Sequence, residues 1–314
     1  MRFPTGALVG ILLTVPGGTR VRFHGVRGST PCAGARYERY GGNTSCVSVE
    51  VDGHTPVIFD MGTGLRPYGE QIVGFPTSGP EGRTAPFGAF HGTALLTHLH
   101  WDHIQGLPFF APLGNADATL DVFGPRQEEG PLADVFAGVM RPPYFPICPD
   151  ELTGKVSFHD AGNDDFAING TKVRSRWVRH TSPTLGFRVE VEGVSIAYLS
   201  DHGPGCSDDP ANFVPQDVLE LCDGADLVIH DSQHTNEEYE DKWFYGHCTA
   251  DYAVHVAREA GASRLMLFHH CPTHCDDDVD LMLIHAQELG SAGGVDVMAA
   301  TEGLSVELHH ALAR

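Results

Sequence analysis

The chain has 314 residues, with 20 Lys+Arg against 41 Asp+Glu, a formal net charge of −21, 19 His and 8 Cys. That length buries a proper core, and an apolar share of 41% with 19% charged residues excludes a largely disordered chain. The charge repels long polyanions and no basic stripe tracks along the sequence, so long nucleic acid is not an expected partner.

The longest apolar run, Ala7–Val15, is interrupted by Gly10 and closed by Pro16, well short of the roughly 18 residues a spanning helix needs, so no membrane association is expected. With Met1-Arg2 ahead of it, the run has some features of a signal peptide. One Arg makes a thin positive region and no Ala-x-Ala site follows, so residues 1–19 read as an N-terminal extension before one domain over 20–314. The cysteines are scattered with no CxxC pair, which reads as reduced thiols and a cytoplasmic protein.

In chain order, β-branched apolar segments predict strands at Val21–Val26, Cys46–Val51, Pro56–Phe59, Ala94–Thr97 and Leu120–Phe123. Further strands are expected at Lys172–Val178, Leu185–Val191, Val194–Leu199, Leu227–Ile229, Leu265–Phe268 and Val295–Met298. Helices are expected at Thr249–Ala260, capped by Thr249 and ended at Gly261, and at Asp277–Leu289 behind an Asp-rich turn. Loops at Thr77–Phe87 and Met140–Asp150 interrupt the order. Many strands with a few intervening helices point to a layered α/β domain.

Chemistry concentrates in Thr97-His98-Leu99-His100-Trp101-Asp102-His103, which follows an apolar strand and runs into a helical start. On an extended segment residues i and i+2 project to one side, so His98 and His100 can share one metal. The turn into a helix swings Asp102 and His103 toward a second position. Imidazole with carboxylate suits zinc, manganese or iron rather than calcium. His180, Asp201 and His269 each follow a predicted strand, where an α/β active site collects, and they supply the remaining ligands.

The HxHxDH cluster and the later His, Asp and His, in that order, resemble the metallo-β-lactamase superfamily of dinuclear metallohydrolases over about residues 20–310. The match is to the phosphodiesterase branch, with ribonuclease Z, cyclic-nucleotide phosphodiesterases and phosphoribosyl cyclic phosphodiesterase. It rests on Gly25-Val-Arg-Gly-Ser-Thr-Pro31, Arg39–Cys46, Phe59-Asp-Met-Gly-Thr-Gly64, Ile104–Phe110, Gly246-His-Cys-Thr-Ala250 and Leu267–Pro272. The resemblance implies a four-layer αββα sandwich with two divalent metal ions, zinc by default and Mn²⁺ or Fe²⁺ as alternatives. It assigns His98, His100 and His180 to the first metal, Asp102, His103 and His269 to the second, and Asp201 as the bridge. A true metallo-β-lactamase typically has Cys at the bridging position, and flavodiiron relatives have Glu at the second position of the motif; Asp201 and His100 argue against both activities.

By the same resemblance, Asp60 orients a ligand imidazole, His230 and Asp231 form a supporting acid pair, and His247 protonates the leaving group. Ribonuclease Z carries a tRNA-gripping arm between the positions matching His180 and Asp201, where this chain has only residues 181–200. A small phosphodiester is therefore the expected substrate, cleaved by metal-activated water with Asp102 and His247 in the catalytic set. Arg27, Asn43 and Thr44 are expected to contact its phosphate, and Pro142–Pro146 to cover the pocket. Cys271 and Cys275, beside His270 and His274, read as buried thiols or an extra soft-metal site. His202 either meets substrate or faces solvent. Thioester hydrolysis of the glyoxalase II type, lactone hydrolysis, ribonuclease activity and a non-catalytic metal sensor stay open. So does a homodimer, because dimers are common in the superfamily.

Overall fold

The computed structural model describes residues 18–73, 88–204 and 213–309; most of the expected N-terminal extension and the Thr77–Phe87 loop lie outside them. Two seven-stranded sheets form the centre. The first contains β1 (Thr19–Gly25), β2 (Cys46–Val51), β3 (Val57–Phe59), β4 (His91–Leu95), β5 (Thr119–Pro125), β6 (Lys155–Ala161) and β14 (Ser305–Leu308), in the order β14-β1-β2-β3-β4-β5-β6. The second contains β7 (Asp164–Ile168), β8 (Thr171–Val178), β9 (Thr184–Val191), β10 (Val194–Leu199), β11 (Leu227–Asp231), β12 (Arg264–Phe268) and β13 (Asp296–Ala299), in sequence order from one edge to the other. Each sheet is antiparallel in one half and parallel in the other: β3 to β6 and β10 to β13 run parallel.

The layers follow from strands that are apolar on both faces. Alternation in β3 sends Val57 and Phe59 into the core between the sheets and Ile58 to the outer side. In β10, Ile196 and Tyr198 point inward while Ala197 and Leu199 point outward. The outer face of the first sheet packs with α1 (Leu65–Val73) and α3 (Leu132–Val139), through Leu65, Tyr68 and Phe136. That of the second packs with α4 (Gln216–Cys222), α6 (Ala250–Glu259) and α7 (Asp276–Ser291), through Val218, Val254 and Val279. Helices outside two facing sheets give the expected αββα sandwich.

Three strands and several helices go beyond the sequence expectation. β6 and β7 are polar (KVSFHDA and DDFAI) and lie at the sheet edges, where pairing with β5 and β8 forms them without an apolar run. β14 is held by antiparallel pairing with β1. α5 (Asn236–Lys242) buries none of its residues, and a capping box of Thr235 and Glu238 starts it. The seven described cysteines are all free thiols, and Cys206 lies outside the described residues. Among the described residues, no helix is long and apolar enough to cross a membrane.

Candidate metal centre

The carboxyl ends of strands from both sheets meet at one edge of the sandwich, the usual place for a site in an open α/β sheet. After β4 the chain stays extended through His100 (φ −64°, ψ 149°) and then turns into the short helix α2 (Trp101–Ile104), which carries Asp102 and His103 on its first turn. His180 follows β8, Asp201 follows β10, and His269 follows β12. Ligand-type atoms of His98, His100, His180 and Asp201 lie within 4.8 Å of one another, and those of Asp102, His103 and His269 form a second such group.

Asp201 lies between the two groups. Its Oδ2 is 3.7 Å from His98 Nε2 and 3.6 Å from His180 Nε2, while its Oδ1 is 3.1 Å from His103 Nε2 and 3.3 Å from His269 Nε2. One carboxylate thus turns one oxygen to each group. His98 Nε2, His103 Nε2 and Asp201 Oδ1 are buried and make no hydrogen bond. Converging, unpartnered nitrogen and oxygen donors fit divalent cations of the zinc type.

Electrostatics agree with that fit. Burial pushes His98 and His100 down from the ordinary imidazole range and His180 down to about 4, so these imidazoles are neutral, as ligands must be. For Asp102 and Asp201 burial alone would favour the protonated form, but the imidazoles of His103 and His269 outweigh it and hold both well below the usual carboxylate range. Burial disfavours a proton on His103, yet Asp102, Asp201 and Asp60 overcome it. In the protein alone that proton balances the carboxylates, a task that a bound cation would take over.

Neighbouring groups fix the imidazoles. His103 Nδ1 meets Asp60 Oδ2 at 2.8 Å, leaving Nε2 to face Asp201. Asp60 is fully buried and also accepts hydrogen bonds from Thr97 N at 2.8 Å and Tyr198 Oη at 2.9 Å, which ties β4 and β10 across the core. His180 Nδ1 donates to the Gly246 carbonyl at 2.9 Å. A Cβ on Gly246 would lie 2.6 Å from that same Nδ1, so this close approach requires glycine. Ser29, Asp60 and His269 all border the site with φ near +60° (61°, 57° and 60°), a conformation that costs energy outside glycine and clusters at functional sites.

His247 stands beside the two ligand-type groups, its Nδ1 2.7 Å from Asp231 Oδ2 and 3.7 Å from Asp201 Oδ2. Burial lowers its proton affinity, but the carboxylates of Asp231, Asp201 and Asp102 raise it overall above the ordinary imidazole value. His230 points the other way, its Nδ1 2.8 Å from the Asp231 carbonyl and its ring among His202 and Tyr252. The expected acid pair therefore divides, with Asp231 holding His247 and His230 facing the helical layer, as strand alternation requires.

The three expected phosphate contacts need correction. Arg27 is fully buried, and its guanidinium bonds the Gly41 carbonyl at 2.9 Å, the His274 carbonyl at 2.8 Å and Asp276 Oδ1 at 3.3 Å, so it clamps loops together. Asn43 gives its backbone N–H and side-chain amide to Glu302. Thr44 is fully buried, and its Oγ1 accepts from Thr63 N at 2.9 Å. His202 is likewise fully buried, 3.4 Å from Tyr252 Oη, and does not face solvent. Among the described residues the 271–275 thiols form no metal cluster: His270 bonds the Ala300 carbonyl and His274 bonds Glu238.

Three residues beside the site escaped the sequence reading. Ser29 donates its N–H to Asp102 Oδ2 at 2.7 Å, and Gln233-His234 line the site just past Asp231. Ser29 lies inside the Gly25–Pro31 segment quoted for the resemblance, which was the available signal. The Met140–Asp150 loop borders a groove of about 630 Å³ through Met140, Arg141, Tyr144 and Phe145, opposite Trp101 and Phe109.

Comparison with known proteins agrees with this geometry. The sequence model of the "Beta-lactamase superfamily domain" matches residues 90–270, more than half of the chain. Ribonuclease Z of Natronomonas pharaonis is 24% identical, over 92% of this chain and 97% of its own length. Among solved structures, the metallo-beta-lactamase fold protein YhfI from Bacillus subtilis superposes with a TM-score of 0.66 at 17% identity, covering 93% of this chain and all of its own. A diphosphatase from the PhnP family gives 0.62 at 19% identity, covering 93% and 98%. The chain belongs to the metallo-β-lactamase superfamily and is a metal-dependent hydrolase related to its ribonuclease Z branch.

Proposed function

We propose that this protein hydrolyses small phosphodiesters at a dinuclear metal site, most consistently zinc, with His247 as the general acid. His98, His100 and His180 would hold one ion, Asp102, His103 and His269 the other, and Asp201 both. When bound, two such ions lower the pKa of water and stabilise the charge of an in-line displacement at phosphorus. The protein's own contribution is positioning: Asp60, Thr97 and Gly246 orient the ligand imidazoles, and Asp231 orients His247.

The observation that carries the reading is the Asp231–His247 pair beside the ligand groups. With Nδ1 engaged at 2.7 Å, Nε2 is left to give a proton to the departing alkoxide. A thiolate leaves unaided, so a thioester hydrolase has no need of this pair. The groove beside Trp101 offers apolar surface for the rest of a substrate.

Ribonuclease activity is the second reading, supported by relatives named ribonuclease Z. Against it, the segment between His180 and Asp201 is the hairpin β9–β10, closed by a tight turn with Glu192 at φ 49° and Gly193 at φ 77°, and the chain carries a net charge of −21.

The test is a paired assay on metal-analysed protein, comparing bis(p-nitrophenyl) phosphate and cyclic nucleotides with a glutathione thioester, a lactone and a precursor tRNA. Turnover of the small diesters at about two metals per chain is expected. Turnover of only the acyl substrates would overturn the reading, and preference for the tRNA would establish the second one.

A further inference from the structure

On the His247 side of the site lie two buried side chains that the mechanism above does not use. Gln233 is 5% exposed and His234 3% exposed, and Gln233 Oε1 and both ring nitrogens of His234 have no hydrogen-bond partner. Their backbones are fixed: Gln233 N–H donates to Asp231 Oδ1 at 2.9 Å and His234 N–H to the Cys248 carbonyl at 3.0 Å. Gln233 Nε2 reaches Ser29 Oγ at 3.2 Å, and Ser29 N–H in turn holds the metal-group residue Asp102 at 2.7 Å. The His234 ring is 5.8 Å from the His247 ring, centre to centre and nearly perpendicular to it. Unpartnered buried polar groups are uncommon because each forfeits its bonds to water, and three such atoms on adjacent residues call for a partner.

Position specifies that partner. In the hydrolysis, a water oxygen bonds to phosphorus as it gives up a proton to solvent, and the ester P–O bond breaks with its electron pair on the alcohol oxygen. That oxygen takes the proton from His247, and solvent reprotonates His247. The alcohol oxygen must then lie within about 3 Å of the His247 ring. The next substituent on the alcohol carbon chain comes within reach of His234 and Gln233. Burial pushes His234 down to about 4, so its imidazole is neutral and offers one donor and one acceptor, while Gln233 Oε1 offers an acceptor. A hydroxyl group, itself donor and acceptor, satisfies such a pair.

Resting on the phosphodiesterase reading, we propose that Gln233 and His234 bind a hydroxyl vicinal to the ester oxygen that leaves and so discriminate between a diester that carries this hydroxyl and its deoxy counterpart.

The experiment measures kcat/KM for a 3′,5′-cyclic nucleotide and a dinucleoside monophosphate, each against its 2′-deoxy counterpart, with bis(p-nitrophenyl) phosphate as the reference diester. Formation of 5′-monophosphate identifies O3′ as the leaving oxygen, and the 2′-hydroxyl is its vicinal neighbour. The wild type should prefer the hydroxyl-bearing partner by about tenfold or more. His234→Phe and Gln233→Leu should erase most of that preference, and His234→Gln, which keeps a donor, should restore part of it. Equal use of the paired substrates by the wild type overturns the assignment without any variant, as does a preference that survives both substitutions. If even the reference diester is not hydrolysed, the phosphodiesterase reading itself fails.

Discussion

Replacing His247 by Ala tests the division between metal ligands and general acid. His247 is buried, tied to Asp231 at 2.7 Å, and 3.7 Å from Asp201, which is where the proposed mechanism needs a proton donor for the leaving group. A positioned general acid contributes ~10²–10⁴ in rate, and that is the loss expected on a diester with an alkyl leaving group. A p-nitrophenyl ester needs little protonation and should lose no more than about tenfold. Metal content, measured by elemental analysis, should stay at the wild-type level because all seven proposed ligands are intact. Asp231→Asn removes the carboxylate that most raises the proton affinity of His247 against the effect of burial, so its alkaline limb of activity should move to lower pH. Equal losses on both substrates would refute the general-acid role. Loss of metal in His247→Ala would make His247 a ligand, which its closeness to Asp201 and His269 sterically allows.

Asp201→Ala should strip metal from both groups, since each of its oxygens faces one of them; elemental analysis showing wild-type content would exclude the bridging role. Arg27→Met takes the buried guanidinium from Asp276, leaves it only the half-exposed Arg39 with Nε at 3.9 Å, and should destabilise the fold by about 3 kcal/mol in denaturant unfolding, with any loss of activity following stability rather than KM. His24 is stacked on Tyr68, and burial pushes its pKa down to about 3 from 6.5. As pH falls below 6.5 the unfolded chain takes up a proton there that the folded chain refuses, so stability declines between 6.5 and about 3. The slope from this residue is at most ~1.4 kcal/mol per pH unit, and His24→Gln should flatten it in unfolding curves recorded from neutral to mildly acidic pH.

The candidate metal site was more legible than its surroundings for a physical reason. Coordination chemistry restricts ligands to a few residue types, and the strand-to-helix turn at Thr97–His103 sets their spacing locally, so four of them stand out within one segment. Arg27 was misread because a cation near a Gly-rich turn has the same local sequence whether it meets a phosphate or a carboxylate. Only the return of the chain at His274–Asp276 settled that it is consumed by the fold. His230 and Asp231, adjacent in sequence, face opposite layers, a separation that depends on β11 being buried on both sides.

Composition, periodicity and the ligand pattern by themselves determined the layered α/β class, most of the central strands and the likeness to dinuclear metallohydrolases, because these follow from local apolar alternation and the chemistry of individual side chains. The tertiary structure alone decided the polar edge strands β6 and β7, whose formation depends on a neighbouring ladder rather than on their own residues. It also decided which carboxylate each imidazole meets and that Gln233 and His234 turn toward the site, since hydrogen bonds between residues far apart in the chain arise only after the two sheets have packed.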